Sequence, residues 1–229
     1  MKLYHFLNSQ YALEAIKKQR LKVSKYSDFN DPFELTAVSL KDEQHRGLAA
    51  VLYEVVDSDF RALCFCSSWN NPIMWAHYAD KHKGAVLEVE VAEHGVLEVT
   101  YSEERLEPTF QKMYEERHLE SSKWDLINLC NTKYEGWKYE EEYRAIVEEK
   151  DIVRDKGIEF LTADTNFKIT GIITGVRCEL SDEQIESHIP NGQSIKVTRT
   201  QQAFDSFNIV ENSELIPYQL SSLPIASEL

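Results

Sequence analysis

The sequence predicts an α+β fold built as one compact domain over residues 1–229, and three observations carry that expectation. Short β-prone runs are interleaved with amphipathic helical stretches, without a regular strand-helix-strand period. No internal repeat and no break in composition marks a linker. At 229 residues, with 42% hydrophobic and 11% aromatic side chains and only 8 Gly and 6 Pro, the chain has apolar content for one core and little room for low-complexity tracts.

The elements follow in order. Residues 2–7 read as a short strand, and Asn8-Ser9 then caps an amphipathic helix with Ala12, Leu13 and Ile16 on one face, ending near Gln19. Residues 21–24 form a second strand running into Asp28-Phe29-Asn30-Asp31-Pro32, where Asx side chains and proline favour a turn. Leu48, Val51, Leu52 and Val55 space a helix over 46–57. An apolar strand over 62–67 stops at Ser68-Trp69-Asn70-Asn71-Pro72, a short helix over 73–81 carries Met74, Trp75 and Tyr78, and an alternating strand covers 85–91. Residues 96–101 are a further strand candidate. The acidic stretch 103–134 is helix-prone, with Pro108 near its start. Trp137 to Val147 enters a strand, followed by strands at 158–161, 169–174 and 194–198 and a helix over 182–188.

Composition bounds the function. With 25 Lys+Arg against 39 Asp+Glu the formal charge is −14, so broad docking on a phosphate backbone is disfavoured, although one nucleotide can be held at a local pocket. The densest basic stretch, Lys17 to Lys22, lies at a predicted helix end where cations complement the dipole. No window approaches the roughly 20 apolar residues that cross a bilayer, and the N-terminus lacks a signal-peptide pattern, so no membrane role and a cytoplasmic location are expected. The four cysteines at 64, 66, 130 and 178 are too few and too irregular for a disulfide framework and are expected as reduced thiols.

Cys64 and Cys66 sit at i and i+2 of a strand, on one face, which is not a metal knuckle; His77 and His82, five apart, are wrongly spaced for a helical metal pair. No metal is therefore expected. A phosphate-binding glycine loop, a nucleophile elbow and a kinase signature are all missing from the sequence. The sharpest local signal is Glu140-Glu141-Glu142, in which two carboxylates at i and i+2 at the mouth of a strand point the same way. An acidic run also serves as a solvated edge that protects a strand from pairing.

Tyr4-His5, the string Ser24 to Glu34 with Asn30-Asp31-Pro32-Phe33-Glu34, the string Met74 to Ala79 with Gly84, and Trp137 to Arg144 together resemble the bacterial domain family of unknown function numbered 2971, over roughly residues 3–175. The remainder reads as a C-terminal α/β extension on the same core. A broader similarity is to the ADP-ribosyltransferase fold of the histidine, tyrosine, glutamate type, a split sheet with flanking helices. His5 stands in the first strand, Ser67 and Ser68 at a polar strand end, Tyr78 in the following helix, and Glu142-Tyr143-Arg144 at the glutamate-bearing strand. The sequence departs from that pattern in having Phe6 where a glycine follows the histidine and Arg144 where an aliphatic residue stands.

The resemblance implies NAD as substrate, no metal, and transfer of ADP-ribose to a macromolecular acceptor, protein or nucleic acid, in a bacterial toxin or phage-defence setting with an antitoxin or defence protein as partner. On that pattern Glu142 and Glu140 are the catalytic carboxylates. Tyr4, His5, Ser24, Asn30, Ser67, Ser68, Trp75, Tyr78 and Arg144 form the NAD site, with His5 at the adenosine ribose and Tyr78 or Trp75 stacked on nicotinamide. Glu142→Gln is then expected to abolish transfer with the melting temperature nearly unchanged. Two alternatives stand beside this one. An NAD glycohydrolase would release free ADP-ribose, and a non-catalytic nucleotide- or protein-binding sensor would bind without releasing nicotinamide. A nuclease would need clustered acidic metal ligands that Asp28 and Asp31 alone do not make.

Overall fold

The computed structural model describes residues 1–106, 126–163 and 167–212. Its elements are β1 (Lys2–Leu7), α1 (Ser9–Lys18), β2 (Arg20–Lys22), α2 (Glu43–Asp59), β3 (Phe60–Cys66), α3 (Pro72–Tyr78), β4 (Ala85–Val91), β5 (Leu97–Glu98), β6 (Thr100–Ser102), β7 (Thr132–Tyr134), β8 (Glu142–Glu148), β9 (Val153–Asp155), β10 (Ile158–Thr162), β11 (Phe167–Thr174), α4 (Asp182–Glu186), β12 (Lys196–Gln202) and β13 (Ile209–Glu211). Eight strands form one mixed sheet in the order β13-β12-β11-β4-β1-β3-β8-β5, with a three-stranded sheet β2-β10-β9 and the pair β6-β7 beside it. The α+β class expected from the interleaved patterns is present. None of the described helices is long and apolar enough to cross a membrane.

Strand alternation divides the large sheet into two faces. Leu3, Leu63, Phe65, Leu87, Val89 and Val147 join Ala12, Ala15 and Ile16 of α1 and Leu21 of β2 in the main core. From the opposite face Phe6, Cys66, Val86 and Ile173 pack on Met74 and Trp75 of α3. The Asn8 side chain accepts from the Tyr11 amide at 2.8 Å and starts α1, while Gln19 in the left-handed region ends it.

The sheet opens in its middle. β1 and β3 share only one ladder position, Tyr4 opposite Cys66. Farther along the same edge of β3, Ser24 forms a bridge with Ala62, its amide donating to the Ala62 carbonyl at 3.0 Å and its carbonyl accepting from the Ala62 amide at 2.9 Å. Between these two positions the Cys64 carbonyl has no strand partner and takes the His5 imidazole instead, at 2.7 Å. Tyr4, His5 and Ser24 thus fill successive acceptors and donors of one strand edge, as a buried backbone requires. The gap they leave is the mouth of a cavity.

Several boundaries differ from the sequence expectation. The helix expected over 73–81 stops at Tyr78, because Asp80, Lys81 and His82 all take left-handed backbone angles. The run 96–101 breaks at buried Val99, where the chain leaves β8 as partner and pairs with β7. The helix-prone stretch 103–134 lies mainly outside the described residues. Within them, 126–130 is helical and Thr132–Tyr134 is a strand, its β-branched and aromatic residues pairing with Thr100–Ser102. The short strands Val153–Asp155 and Ile209–Glu211 carry no sequence alternation long enough to announce them.

Candidate functional site

The opening between β1 and β3 leads into a cavity of about 400 Å³ whose walls include Tyr4, His5, Ser24, Asn30, Cys64, Cys66, Tyr78, Lys133, Glu140 and Glu142. Five separate stretches of chain supply these groups. Its size falls in the range of small-molecule sites.

A buried ionic cluster forms the floor. Glu140 ends the 3-10 helix 135–140, Glu141 takes a left-handed conformation (φ 45°), and Glu142 begins β8. That single left-handed residue turns the two flanking carboxylates towards the same lysine. Lys133 Nζ donates to Glu140 Oε2 at 2.5 Å and to Glu142 Oε2 at 3.1 Å. Arg144, fully buried, donates bidentately to Glu142 at 2.7 and 3.0 Å and to Glu34 at 2.7 and 2.9 Å, and to the Cys130 carbonyl at 2.8 Å. Such charges survive burial only because each is paired and hydrogen-bonded.

The two carboxylates differ in what they have left to offer. An ionised carboxylate accepts about four hydrogen bonds. Glu142 takes three from Arg144 and Lys133, which leaves it nearly saturated. Glu140 takes one from Lys133 and one from the Tyr78 hydroxyl at 2.5 Å, so two acceptor directions remain. Asn30 Nδ2 donates to the Tyr78 oxygen at 3.0 Å and completes a chain from the turn after β2 to the floor.

Environment sets the protonation states. Burial alone would raise the Glu142 carboxyl, but Arg144 and Lys133 overcome it and hold it down at about 2. Glu34 goes the other way: burial pushes it up against the pull of Arg144 and Lys133. Burial and the bond to Glu140 keep the Tyr78 phenol neutral far above its ordinary range. Burial lowers His5 despite the Cys64 carbonyl, which raises it. A carbonyl only accepts, so His5 Nδ1 carries the hydrogen and Nε2 keeps a lone pair.

Of the residues singled out from the sequence, Tyr4, His5, Ser24, Asn30, Tyr78, Glu140 and Glu142 meet at this cavity. Four do not line it. Trp75 is fully buried, donates to the Trp69 carbonyl at 2.6 Å and packs edge-on against Phe6, so its ring is core and has no face free for nicotinamide. Ser67 bonds Glu141 through both its hydroxyl and its amide, not Glu142, and Ser68 turns back to Asn70. Arg144 lies behind Glu142 as its counter-ion. The buried carboxylate also revises the expected stability of Glu142→Gln, because the change would leave Arg144 and Lys133 facing a neutral group.

Sequence reasoning missed Lys133 and Glu34. Glu34 closes the Asn30-Asp31-Pro32-Phe33-Glu34 string, and its signal was membership of that string. Lys133 lies in the acidic, helix-prone stretch 103–134, where a lysine attracts no notice; the β-prone flanks Thr132 and Tyr134 are its only cue. The cysteines are all free, and no cluster of three or more His, Cys, Asp or Glu able to hold a metal occurs among the described residues. No family model, curated protein or solved structure matches the chain.

Proposed function

We propose that the cavity takes the nicotinamide-ribose end of NAD and that the protein transfers ADP-ribose from NAD to a macromolecular acceptor, with Glu140 as the substrate-facing carboxylate. The observation that carries this reading is the meeting of His5, Tyr78 and Glu140 with the paired Glu142 in one cavity at a split sheet. The resemblance to ADP-ribosyltransferases rests on His5, Tyr78 and Glu142 in that order, and the occupied acceptors of Glu142 shift the substrate-facing role to Glu140.

The chemistry is consistent with these groups. Cleaving the bond between ribose C1′ and the nicotinamide nitrogen sends the electron pair to neutral nicotinamide and leaves positive charge on the ribose. A nucleophile of the acceptor then bonds to C1′ and gives up its proton. A carboxylate with free lone pairs beside the ribose favours the cationic transition state, provided it is held in place beforehand. Tyr78 and Lys133 hold Glu140, while Arg144 fixes Glu142. His5 Nε2 offers an acceptor for a ribose hydroxyl, and the Tyr78 ring an aromatic wall.

The test is incubation of the protein with NAD labelled in its adenylate phosphate, together with cell extract, following free nicotinamide and label retained on macromolecules. Retained label that Glu140→Gln abolishes, with Ser68→Ala unaffected, is the expected result. Free ADP-ribose without retained label would assign the glycohydrolase instead. Saturable NAD binding without nicotinamide release would assign the sensor module.

A further inference from the structure

A second, larger depression of about 970 Å³ shares Phe6 and Tyr78 with the cavity and runs from there past Asn8, Tyr11 and Lys22. It continues along the exposed side of α1 into a groove of about 310 Å³ that shares Leu7, Gln10, Tyr11 and Lys22 with it. The cations of this path are unusual for so acidic a chain. Lys22, Lys83 and Arg177 are exposed, and none forms an ion pair with a carboxylate among the described residues.

Counting both depressions, six cations stand against four carboxylates. Lys18 and Arg20 are occupied by Asp155 (3.0 and 2.6 Å), and Lys18 also by Glu14. Lys156 lines the smaller groove, while Asp80 and Glu179 line the larger depression together with Lys83 and Arg177. The local surplus is positive in a protein at −14. Tyr11, 51% exposed, stands at the junction of the two depressions as an uncovered aromatic face.

The cationic corner is built rigidly. The Gly175 amide donates to the Gly84 carbonyl at 3.0 Å, the Arg177 amide to the His82 carbonyl at 3.0 Å, and the Ser9 hydroxyl to the Lys83 carbonyl at 2.6 Å. A Cβ on Gly84 would meet the Leu7 oxygen at 2.2 Å, and one on Gly175 the His82 oxygen at 2.3 Å, so only glycines allow these backbones so close. Lys83 and Arg177 are thereby fixed side by side with the start of α1.

We infer that this groove docks a short single-stranded nucleic acid, with phosphates at Lys22, Lys83 and Arg177 and a base on Tyr11, delivering it to the cavity at Tyr78. Unpaired cations spaced along a groove, with an aromatic face between them, match a strand of alternating phosphates and bases. The space is more than twice that of the cavity, larger than a dinucleotide's diphosphate needs. The overall charge confines the contact to a few nucleotides. The role as acceptor rests on the proposed ADP-ribosyl transfer; the binding does not.

The test is fluorescence anisotropy of labelled 12-mer single-stranded DNA and RNA, and of a labelled 12-residue polyglutamate, across a salt series without NAD. Three phosphate contacts predict a slope of log K against log salt of about −2, from about 0.7 per contact for single strands. The triple variant Lys22→Glu, Lys83→Glu, Arg177→Glu is expected to weaken oligonucleotide binding tenfold or more. A charge-matched variant at the exposed Lys41, Lys168 and Lys196, away from the groove, is expected to leave it within about twofold, with both variants melting as the parent does. No oligonucleotide binding at low salt, equal losses in both variants, or groove-dependent binding of polyglutamate tighter than of either oligonucleotide would overturn the inference. Groove-dependent binding without nicotinamide release under any condition would retain the groove and remove the transfer reading.

Discussion

The Tyr78 hydroxyl donates to Glu140 Oε1 at 2.5 Å and links α3 to the floor of the cavity, while receiving a hydrogen bond from Asn30. Removing that oxygen affects both neighbours. Tyr78→Phe is expected to cost about 1–3 kcal/mol, the penalty of leaving the buried Glu140 short of a bond, read as a lower midpoint in denaturant. NAD affinity by calorimetry should fall in the same variant, whereas a purely structural tyrosine would change the midpoint alone. Burial and Glu140 hold the phenol proton far above the ordinary range, so the Tyr78 contribution to tyrosinate absorbance should not appear up to pH 11.

Glu142 and Arg144 form the central pair of a buried cluster, with Glu34 on the other side of Arg144 and Lys133 bridging Glu142 to Glu140. Arg144 has no exposure at all, and Glu142 only 4%. Glu142→Gln is expected to destabilise by about 3–5 kcal/mol, the usual cost of removing one partner from a buried ion pair. For a chain of this length that corresponds to a melting temperature lower by about 10 °C. Replacing Lys133 by Met leaves buried Glu140 without a cation while Glu142 keeps Arg144, and should cost a comparable amount. A melting temperature unchanged in both variants would show that the cluster does not hold the fold together.

Much of the fold was legible because local pattern and tertiary environment agreed. The Asn8 cap, the apolar stripe of α1 and the alternation of β4 each specify their element without help from elsewhere. What the sequence concealed depends on partners distant along the chain. Thr132–Tyr134 is a strand because Thr100–Ser102 lies beside it, and three residues carry too little period to reveal that. The site was legible in part for the same reason. Glu140, Glu142, Tyr78 and His5 lie in recognisable strings, but Lys133 gains its meaning only when folding places it between two carboxylates. Trp75 misled because a buried core tryptophan and a ligand-stacking one look alike in sequence.

Acid should unfold the protein in two stages. His5 is held below its ordinary 6.5 by burial, so the unfolded chain binds more protons there and stability falls as pH drops through that value. Glu142 is held at about 2, below its ordinary 4.5, so its contribution is full above 4.5 and is lost as pH falls towards 2. Denaturant midpoints measured from pH 8 to pH 2 should show a shallow decline near 6 and a steep one below 4.5. In Glu142→Gln the steep stage should shrink while the shallow one stays.

Thiol reactivity should separate the cysteines. Burial raises Cys64 and Cys66 well above the ordinary 9.0, with the Glu142 carboxylate adding to the effect, and brings Cys130 to about 11. These three hold too little thiolate at pH 8 to react quickly. Cys178 lies partly exposed near Ser9, at the edge of the groove. Iodoacetamide at pH 8 followed by intact mass should therefore give one adduct on the native protein and four after denaturation. Prompt modification of Cys64 or Cys66 in the native state would mean that the cavity floor opens, and that the ion cluster over it is not the fixed platform on which Glu140 depends.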